Sequence, residues 1–262
     1  MIEQLEIDRS VRQWLNEAAD LIQTELKMAR YQVSQKTGPT DLVTTVDQQI
    51  EVFFADKLAT FYPTHQLVAE EDPTHKHQTF SGVTWILDPI DGTLNFIQQQ
   101  ADYAISLAIF EDGVGQLAYI FDVERRTLYS CKVGEGVFVD GVQVERRRPN
   151  PSLAESTLIM NFGIIAANYL GLATAGAQAR SVRLYGVASL EMAAVITGRA
   201  DAYLSRHLMP WDIAAGFIMA NELGLKISRI DGTEINVLKS GSLLIASEQV
   251  HETLLHDFIM KN

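Results

Sequence analysis

The sequence is poor in cysteine, in positive charge and in long hydrophobic runs, and each shortage excludes a class of protein. Its single cysteine, Cys131, can form neither an internal disulfide framework nor a metal site built from several cysteines. No apolar run approaches the roughly 18 residues that a membrane-spanning helix needs. The net charge of −12 argues against general affinity for nucleic acids or anionic membranes.

The first ten residues also lack the features of a secretory signal. MIEQLEIDRS carries acids where a signal peptide would carry positive charge, and it has no continuous apolar core. Together with the single cysteine, this predicts a cytoplasmic protein. An acidic protein that handles anionic substrates needs local positive charge, which bound cations would supply most simply.

The composition is otherwise that of a globular protein, with 47% hydrophobic and 21% charged residues in a chain of 262. Apolar residues at helical spacing predict helices over residues 8–30 and 47–61. Short β-like runs then follow one another at 66–70, 84–88, 105–111, 115–122 and 127–131. Because these strands are consecutive rather than separated by helices, we predict an α+β fold and not a doubly wound nucleotide-binding fold.

A polar stretch at 145–152, ERRRPNPS, is the predicted boundary between two halves, 1–147 and 148–262, with a cleft between them. We expect the first half to carry most of the metal ligands and the second to complete the active-site cleft. The second half is predicted to contain strands at 156–161, 201–204 and 242–246 and helices at 186–197 and 212–223.

The most informative segment is TWILDPIDGTLNF, in which Asp88 and Asp91 follow a buried apolar run. Pro89 is predicted to stop the strand, and the turn after it to bring Asp91 back toward Asp88. Gly92 allows close backbone approach, and Thr93 is predicted to begin a short helix. Two carboxylates beside the free N–H groups of a helix start predict a bipartite site for divalent cations and a phosphate.

Other acids occupy similar positions, because Glu70 and Glu71 end a strand-like run and Asp47 and Asp212 stand at the starts of predicted helices. Taken singly, the two aspartates could be ordinary helix N-caps and the two glutamates a solvated strand end. Taken together, they are what a shared acidic cleft requires.

Two other motifs have simpler interpretations. The segment 230–233, Ile-Asp-Gly-Thr, repeats the Asp-Gly-Thr pattern without a partner acid and is predicted to be a hairpin turn. His75 and His77 could bind a metal, but a polar loop is the favoured interpretation.

These motifs resemble those of the inositol monophosphatase family of magnesium-dependent, lithium-sensitive phosphatases. The first family signature is similar to DPIDGTLNF and the second to WDIAAG at 211–216, with the Glu70-Glu71 pair upstream and Lys36 and the segment 41–47 before it. The resemblance implies a layered αβαβα sandwich and a homodimer. It also implies hydrolysis of inositol monophosphate or a related small sugar or polyol phosphate.

The resemblance implies two or three Mg²⁺ ions with assigned ligands. One ion would be held by Glu70, Asp88 and the backbone carbonyl of Ile90, and a second by Asp88, Asp91 and Asp212. A third, weaker ion would lie near Glu70, which counts among the catalytic residues. Asp91 and Asp212 would also contact the substrate.

The remaining implied roles concern water and the phosphate. Asp47 and Thr93 would orient and activate the attacking water, while the amides of Gly92 and Thr93 hold phosphoryl oxygens. Two cations can neutralise the phosphate dianion and stabilise the leaving alkoxide, so no covalent phosphoenzyme is needed. Glu71 would support the metal ligands without binding a cation itself. Lys36 would help close the cleft or remain a solvated loop lysine.

Some positions depart from the family pattern. The acid that recognises inositol in the family falls at Ser205, and the substrate wall reads Gly-Val-Ala-Ser at 186–189. Arg206 and His207 could face a second anionic group of a bisphosphate or nucleotide, or be plain surface residues. The sequence therefore does not identify the alcohol part of the substrate.

Two rival functions share features with this sequence. Haloacid-dehalogenase phosphatases also show an apolar run followed by acids and Asp-Gly-Thr, but their acids are two residues apart, whereas Asp88 and Asp91 are three apart. A non-catalytic regulatory member of the same fold would be expected to lose a metal ligand. All the acids named above are present, which favours an active enzyme.

Overall fold

A computed structural model describes residues 4–38, 41–71, 80–145 and 150–261. The helices are α1 Gln4–Met28, α2 Thr45–Phe61, α3 Thr93–Gln98, α4 Phe162–Ala166, α5 Leu172–Gln178, α6 Ala188–Ile196, α7 Pro210–Glu222 and α8 Glu248–Thr253. The strands of the first half are β1 Val33–Gly38, β2 Asp41–Thr44, β3 Gln66–Ala69, β4 Val83–Asp91, β5 Ala104–Glu111, β6 Val114–Asp122, β7 Thr127–Lys132, β8 Gly136–Val139 and β9 Val142–Gln143. Those of the second half are β10 Thr157–Met160, β11 Ser181–Arg183, β12 Ala202–Leu208, β13 Lys226–Ser228 and β14 Gly241–Ala246.

The strands form a seven-stranded and a five-stranded sheet, with β1 and β2 paired separately. The larger sheet runs β3-β4-β5-β6-β7-β8-β9, and only its β3–β4 pair is parallel. The smaller sheet has the order β11-β10-β12-β14-β13, in which β10 is parallel to both of its neighbours. The consecutive strands β5, β6 and β7 pair antiparallel as two hairpins.

Successive side chains of a strand point to opposite faces of its sheet, and this divides the core into layers. On β4, Trp85 and Leu87 join the cluster that α1 and α2 cover, whereas Ile86 points to the opposite face. That opposite face packs on α6 and α7, which also cover one face of the smaller sheet. The other face of the smaller sheet packs on α4, α5 and α8. The α+β assignment and the layered αβαβα arrangement are thus confirmed.

Most predicted elements are present within a few residues of their expected bounds. The predicted boundary between the halves falls at 147/148, outside the described residues, and the division stays a prediction. The middle layer draws on both predicted halves, since Ile86 and Ile159 belong to one apolar cluster. Among the described residues, no helix combines the length and the apolar character that crossing a membrane requires.

Candidate active site

Three carboxylates from two distant parts of the chain meet at the end of β4. One oxygen atom from each of Asp88, Asp91 and Asp212 lies within 4.8 Å of the others. Asp88 and Asp91 belong to β4, and Asp212 lies in the first turn of α7. Because α7 belongs to the middle layer, the site forms where the two sheets face each other across helices.

The local shape of β4 explains how Asp88 and Asp91 share one site, because residues three apart on a regular strand point to opposite faces. The strand continues through Pro89, so the prediction that this proline stops it is wrong. Asp88 lies opposite Ser106 and Asp91 opposite Ala104, which is three steps on β4 against two on β5. The extra residue is a β-bulge, which tolerates a proline and turns both carboxylates to the same side.

Burial and mutual repulsion raise the pKa values of the clustered acids. Burial, reinforced by neighbouring carboxylates, holds the pKa of Asp88 and of Asp212 well above the usual aspartate value. Burial also raises the pKa of Asp91 to about 6, although a hydrogen bond of 2.6 Å from the Ser189 amide opposes the shift. Carboxylates crowded in this way are the ligand set of a hard divalent cation such as Mg²⁺, so the donor chemistry fits that ion.

Asp47 and Asp212 occupy equivalent positions on their helices. Each is the third residue of its helix, and each accepts the amide N–H of the residue three before it, from Thr44 at 2.8 Å and from Met209 at 2.7 Å. Thr44 and Met209 are therefore the N-caps, and the interpretation of these two aspartates as N-caps is wrong. The second carboxylate oxygen is left to face the site.

The hydroxyl of Thr93 links α3 to α2. It donates to Oδ1 of Asp47 at 3.2 Å and lies 3.0 Å from the carbonyl oxygen of Ile90. Burial raises the pKa of Asp47 to about 6, against the hydrogen bonds from Thr44 that lower it. Asp47 is thus a carboxylate able to accept a proton near neutral pH.

Gly92, the residue before α3, has a backbone φ of +91°, which glycine tolerates best. A Cβ atom at this position would lie 2.7 Å from Cγ2 of Val187 and 3.2 Å from the carbonyl oxygen of Asp102. The backbone at Gly92 therefore packs directly against the segment that leads into α6, as the sequence predicted for a close approach.

Lys36 binds both glutamates at the end of β3. Its Nζ lies 2.6 Å from Oε1 of Glu70 and also contacts Glu71. Although burial alone would lower it, these ion pairs raise the pKa of Lys36. Glu71 also donates its amide N–H to Glu51 at 2.8 Å. Lys36 is thus part of the site's charge balance and not a solvated loop lysine.

The side chain of Ser205 lies on the other wall of the site, next to buried polar groups. Ser205 accepts a hydrogen bond of 3.1 Å from Nδ2 of Asn161 and is also bonded to the buried Tyr203. Burial, reinforced by the charges of Glu191 and Asp91, raises the pKa of Tyr203, so this wall is within electrostatic reach of the acid cluster.

The residues that follow Ser205 are exposed. The guanidinium of Arg206 stacks over the Tyr169 ring at 4.5 Å, and His207 is exposed beside it. Arg206 is thus held on an aromatic ring with its charge accessible to an anionic group.

Several contacts of the site could not be read from single motifs. Thr44 could have been found, since Thr-x-x-Asp before an apolar helix is a capping-box pattern. The amide of Ser189, which binds Asp91, carries no sequence signal because any residue supplies an N–H. Asn95 donates to the carbonyls of Asp102 and Tyr185 at 3.0 and 2.9 Å, and these contacts also depend on the fold.

The two secondary motifs have different outcomes. Asp231 accepts hydrogen bonds from the amide and hydroxyl of Thr233, at 3.0 and 2.6 Å, in the connection between the antiparallel strands β13 and β14. The segment is thus a turn, as predicted. His75 and His77 lie outside the described residues.

Residues 3–260 match the profile of the inositol monophosphatase family. The inositol-1-monophosphatase of Bacillus subtilis (strain 168) is 35% identical over 258 residues, which are 97% of each chain. The crystal structure of staphylococcal IMPase-I complexed with products has a TM-score of 0.89 at 34% identity and covers 97% of this chain and 95% of that one. An IMPase/NADP phosphatase complexed with Mg²⁺ and phosphate has a TM-score of 0.89 at 35% identity, with coverages of 96% and 94%.

Proposed function

The chain belongs to the inositol monophosphatase family and is a Mg²⁺-dependent phosphoric monoester hydrolase, and on that premise we propose its substrate and the roles of its residues. The proposed substrate is inositol monophosphate or a related small sugar or polyol phosphate. The observation that carries the proposal is the approach of Asp88, Asp91 and Asp212 to within 4.8 Å, in a chain whose family hydrolyses phosphate esters.

The cation ligands are proposed from the positions of their donors. Glu70, Asp88 and the carbonyl of Ile90 would hold one Mg²⁺, and Asp88, Asp91 and Asp212 a second. A third ion would lie near Glu70. When bound, such ions supply charge neutralisation for the phosphate, a lowered pKa for water and stabilisation of the leaving oxygen.

The protein's own groups would position the water and the phosphate. Thr93 donates its hydroxyl proton to Asp47, so the lone pairs of its oxygen are available to a water molecule. Asp47 would receive the proton that this water loses through Thr93. The amides of Gly92 and Thr93 would hold phosphoryl oxygens, which favours direct in-line displacement without a covalent phosphoenzyme.

Lys36 and Glu71 would support the cation ligands without binding a cation themselves. Lys36 neutralises Glu70 and Glu71 in the described structure, and a cation at Glu70 would have to share that carboxylate with it. Glu71, bonded to Lys36 and to Glu51, would hold the lysine in place.

A bisphosphate or nucleotide is a second candidate substrate, favoured by one specific observation. Ser205 offers a hydroxyl where the family has an acid, and the neighbouring Arg206 is placed on Tyr169 with its charge exposed. A second phosphate on the substrate would find a counter-charge there. The similar IMPase/NADP phosphatase is consistent with a site that accepts more than one alcohol.

Two further properties are proposed from family membership, and a third from the single cysteine. We propose sensitivity to lithium, a homodimer and a cytoplasmic location. Inhibition by LiCl, sedimentation velocity and fractionation of cells test these three in turn.

The test of the function is Mg²⁺-dependent phosphate release from a panel of inositol phosphates, sugar phosphates and bisphosphates, and adenosine 3′,5′-bisphosphate. A single turnover in H₂¹⁸O should place one ¹⁸O in the phosphate released. An acid-stable aspartyl-phosphate would instead support a haloacid-dehalogenase type of mechanism. No Mg²⁺-dependent release from any ester would favour a non-catalytic regulatory protein.

A further inference from the structure

One buried acid beside the site is not among the proposed cation ligands. Glu191 is the only charged residue of α6, between Ala188 and Ile196, and only 2% of its surface is exposed. In the described part of the chain, no lysine, arginine or histidine forms an ion pair with it. A buried carboxylate without a counter-ion is costly unless hydrogen bonds compensate it. The hydrogen bonds of Glu191 therefore indicate what this acid does.

Those hydrogen bonds come from the loop that precedes α6. Oε1 of Glu191 accepts the amide N–H of Tyr185 at 2.8 Å and that of Gly186 at 2.9 Å. The N-cap of α6 is Val187, so both donors lie outside the helix. In a capping box the acid binds the amide of the N-cap itself, whereas Glu191 binds the two residues before it. Glu191 thus holds the incoming loop and not the first turn of its own helix.

The peptide that joins Tyr185 to Gly186 is held on both sides. Its carbonyl oxygen accepts a hydrogen bond of 2.9 Å from the side chain of Asn95 on α3, and its N–H group donates to Glu191. Gly186 has a φ of +78°, which glycine tolerates best. The direction in which the chain enters α6 is therefore fixed by two side chains, Asn95 and Glu191.

The same loop contacts the acid cluster at two points. Val187 packs against Gly92, where a Cβ atom would lie 2.7 Å from the Cγ2 atom of Val187. Ser189 donates its amide N–H to Oδ2 of Asp91 at 2.6 Å. Since this bond orients the carboxylate of Asp91, a displacement of the loop would turn that carboxylate away from its position in the cluster.

We propose that Glu191 is a positioning residue for the cation site. It fixes the segment 185–189, and the Ser189 amide of this segment holds Asp91 in the orientation that the cation requires. The inference rests on the proposed role of Asp91 as a Mg²⁺ ligand. Groups that orient a metal ligand in this way typically contribute about 10- to 100-fold to metal affinity.

The experiment is isothermal titration of the metal-free full chain with MgCl₂, in the parent and in three variants of Glu191. Glu191→Gln keeps the length of the side chain and an oxygen for the two amides, and it should bind Mg²⁺ nearly as tightly as the parent. Glu191→Ala removes the acceptor and should weaken binding by about 10- to 100-fold. Glu191→Asp keeps the charge but is one methylene shorter, so its affinity should lie between those two.

The order of affinities separates the reach of Glu191 from its charge. Tighter binding by the glutamine variant than by the aspartate variant supports positioning, and this comparison decides the matter even where the alanine variant does not fold. The reverse order overturns the proposal, because the negative charge alone would then account for the effect. A parent chain that binds no Mg²⁺ would overturn the proposed cation site and this inference with it. Equal affinities in the parent and all three variants would overturn only the role of Glu191.

Asp201→Ala is the matched control for lost stability. Asp201 is also a buried acid, 3% exposed, and it accepts the amide N–H of Thr157 at 2.8 Å. It lies four residues before Ser205, roughly 13 Å away along an extended strand. The control should melt at a lower temperature yet bind Mg²⁺ like the parent, and an affinity loss equal to that of Glu191→Ala would contradict the proposal. So would a change of sedimenting mass confined to the variants that lose affinity, which would assign Glu191 to assembly.

Discussion

The hydroxyl of Thr93 donates to Oδ1 of Asp47 at 3.2 Å, joining the first turns of α3 and α2. The other carboxylate oxygen of Asp47 accepts both the amide and the hydroxyl of Thr44. Asp47 is therefore held in one orientation, with its pKa raised to about 6 by burial. This pair is the part of the site that can handle a proton without help from a cation.

Replacing Thr93 tests this pair. Thr93→Val keeps the shape and removes the hydroxyl, so kcat should fall by about 10²- to 10⁴-fold, the usual contribution of general base catalysis, while KM changes little. Thr93→Ser keeps the hydroxyl and should retain most activity. Steady-state kinetics at saturating Mg²⁺ measure both, and a valine variant as active as the serine variant would contradict the assignment.

The acid cluster should make the metal-free protein less stable as pH rises. Asp91 has a folded-state pKa of about 6, above its value in the unfolded chain. The contribution of its protonated form to the free energy of unfolding is therefore fully present below pH ~4 and is lost as pH rises through 6. In EDTA, the free energy of unfolding in urea should be smaller at pH 7.5 than at pH 5. Mg²⁺ should remove most of this difference.

Asp88→Asn is the matched variant for that measurement. The substitution removes one buried negative charge and keeps an oxygen that can accept the amide of Ile90. In EDTA at pH 7.5 the variant should be more stable than the parent chain, yet it should gain little from Mg²⁺ and lose nearly all turnover. Equal stabilisation of both proteins by Mg²⁺ would show that the ion binds elsewhere.

Substitution of Ser205 tests how the site selects the alcohol part of the substrate. A glutamate at this position would place an acid beside Asn161 and Tyr203 and should raise the preference for inositol phosphate over other esters by about tenfold, the effect of one charge-assisted hydrogen bond. Ser205→Thr, which keeps the hydroxyl, is the control and should leave the ratios of kcat/KM unchanged. Unchanged ratios in the glutamate variant would remove Ser205 from the pocket.

Substitution of Gly92 tests the close packing of the backbone before α3 against Val187. Gly92→Ala adds a methyl group 2.7 Å from Val187 at a left-handed backbone, so activity should fall and stability drop by about 1–3 kcal/mol. Gly198→Ala is the matched control, since its φ is +72° but nothing lies within 4 Å of the added atom. Equal losses in both variants would assign the effect to φ alone.

The fold class and the position of the acid cluster were predictable because both depend on local patterns. Apolar patterns located α1, α2 and the strands β3 to β7, and the spacing of Asp88 and Asp91 indicated an acidic site. The path of β4 was not predictable in this way, because Pro89 favours a stop unless a bulge, formed by pairing with β5, accommodates it.

Contacts between distant segments were also beyond the sequence. The amide of Ser189 and the ion pairs of Lys36 depend on how α6 and β1 pack against β4 and β3, and residue types alone do not specify that packing. The N-cap interpretation of Asp47 was wrong by three residues, although the capping-box pattern from Thr44 was available.

The site's third carboxylate belongs to α7, far along the chain from β4. A polypeptide leaving the ribosome exposes Asp88 and Asp91 well before Asp212 has been synthesised, so the three-carboxylate cage cannot close during early translation. On the proposed ligand set, a chain that ends before α7 would lack one of the three carboxylates and should bind the cation weakly.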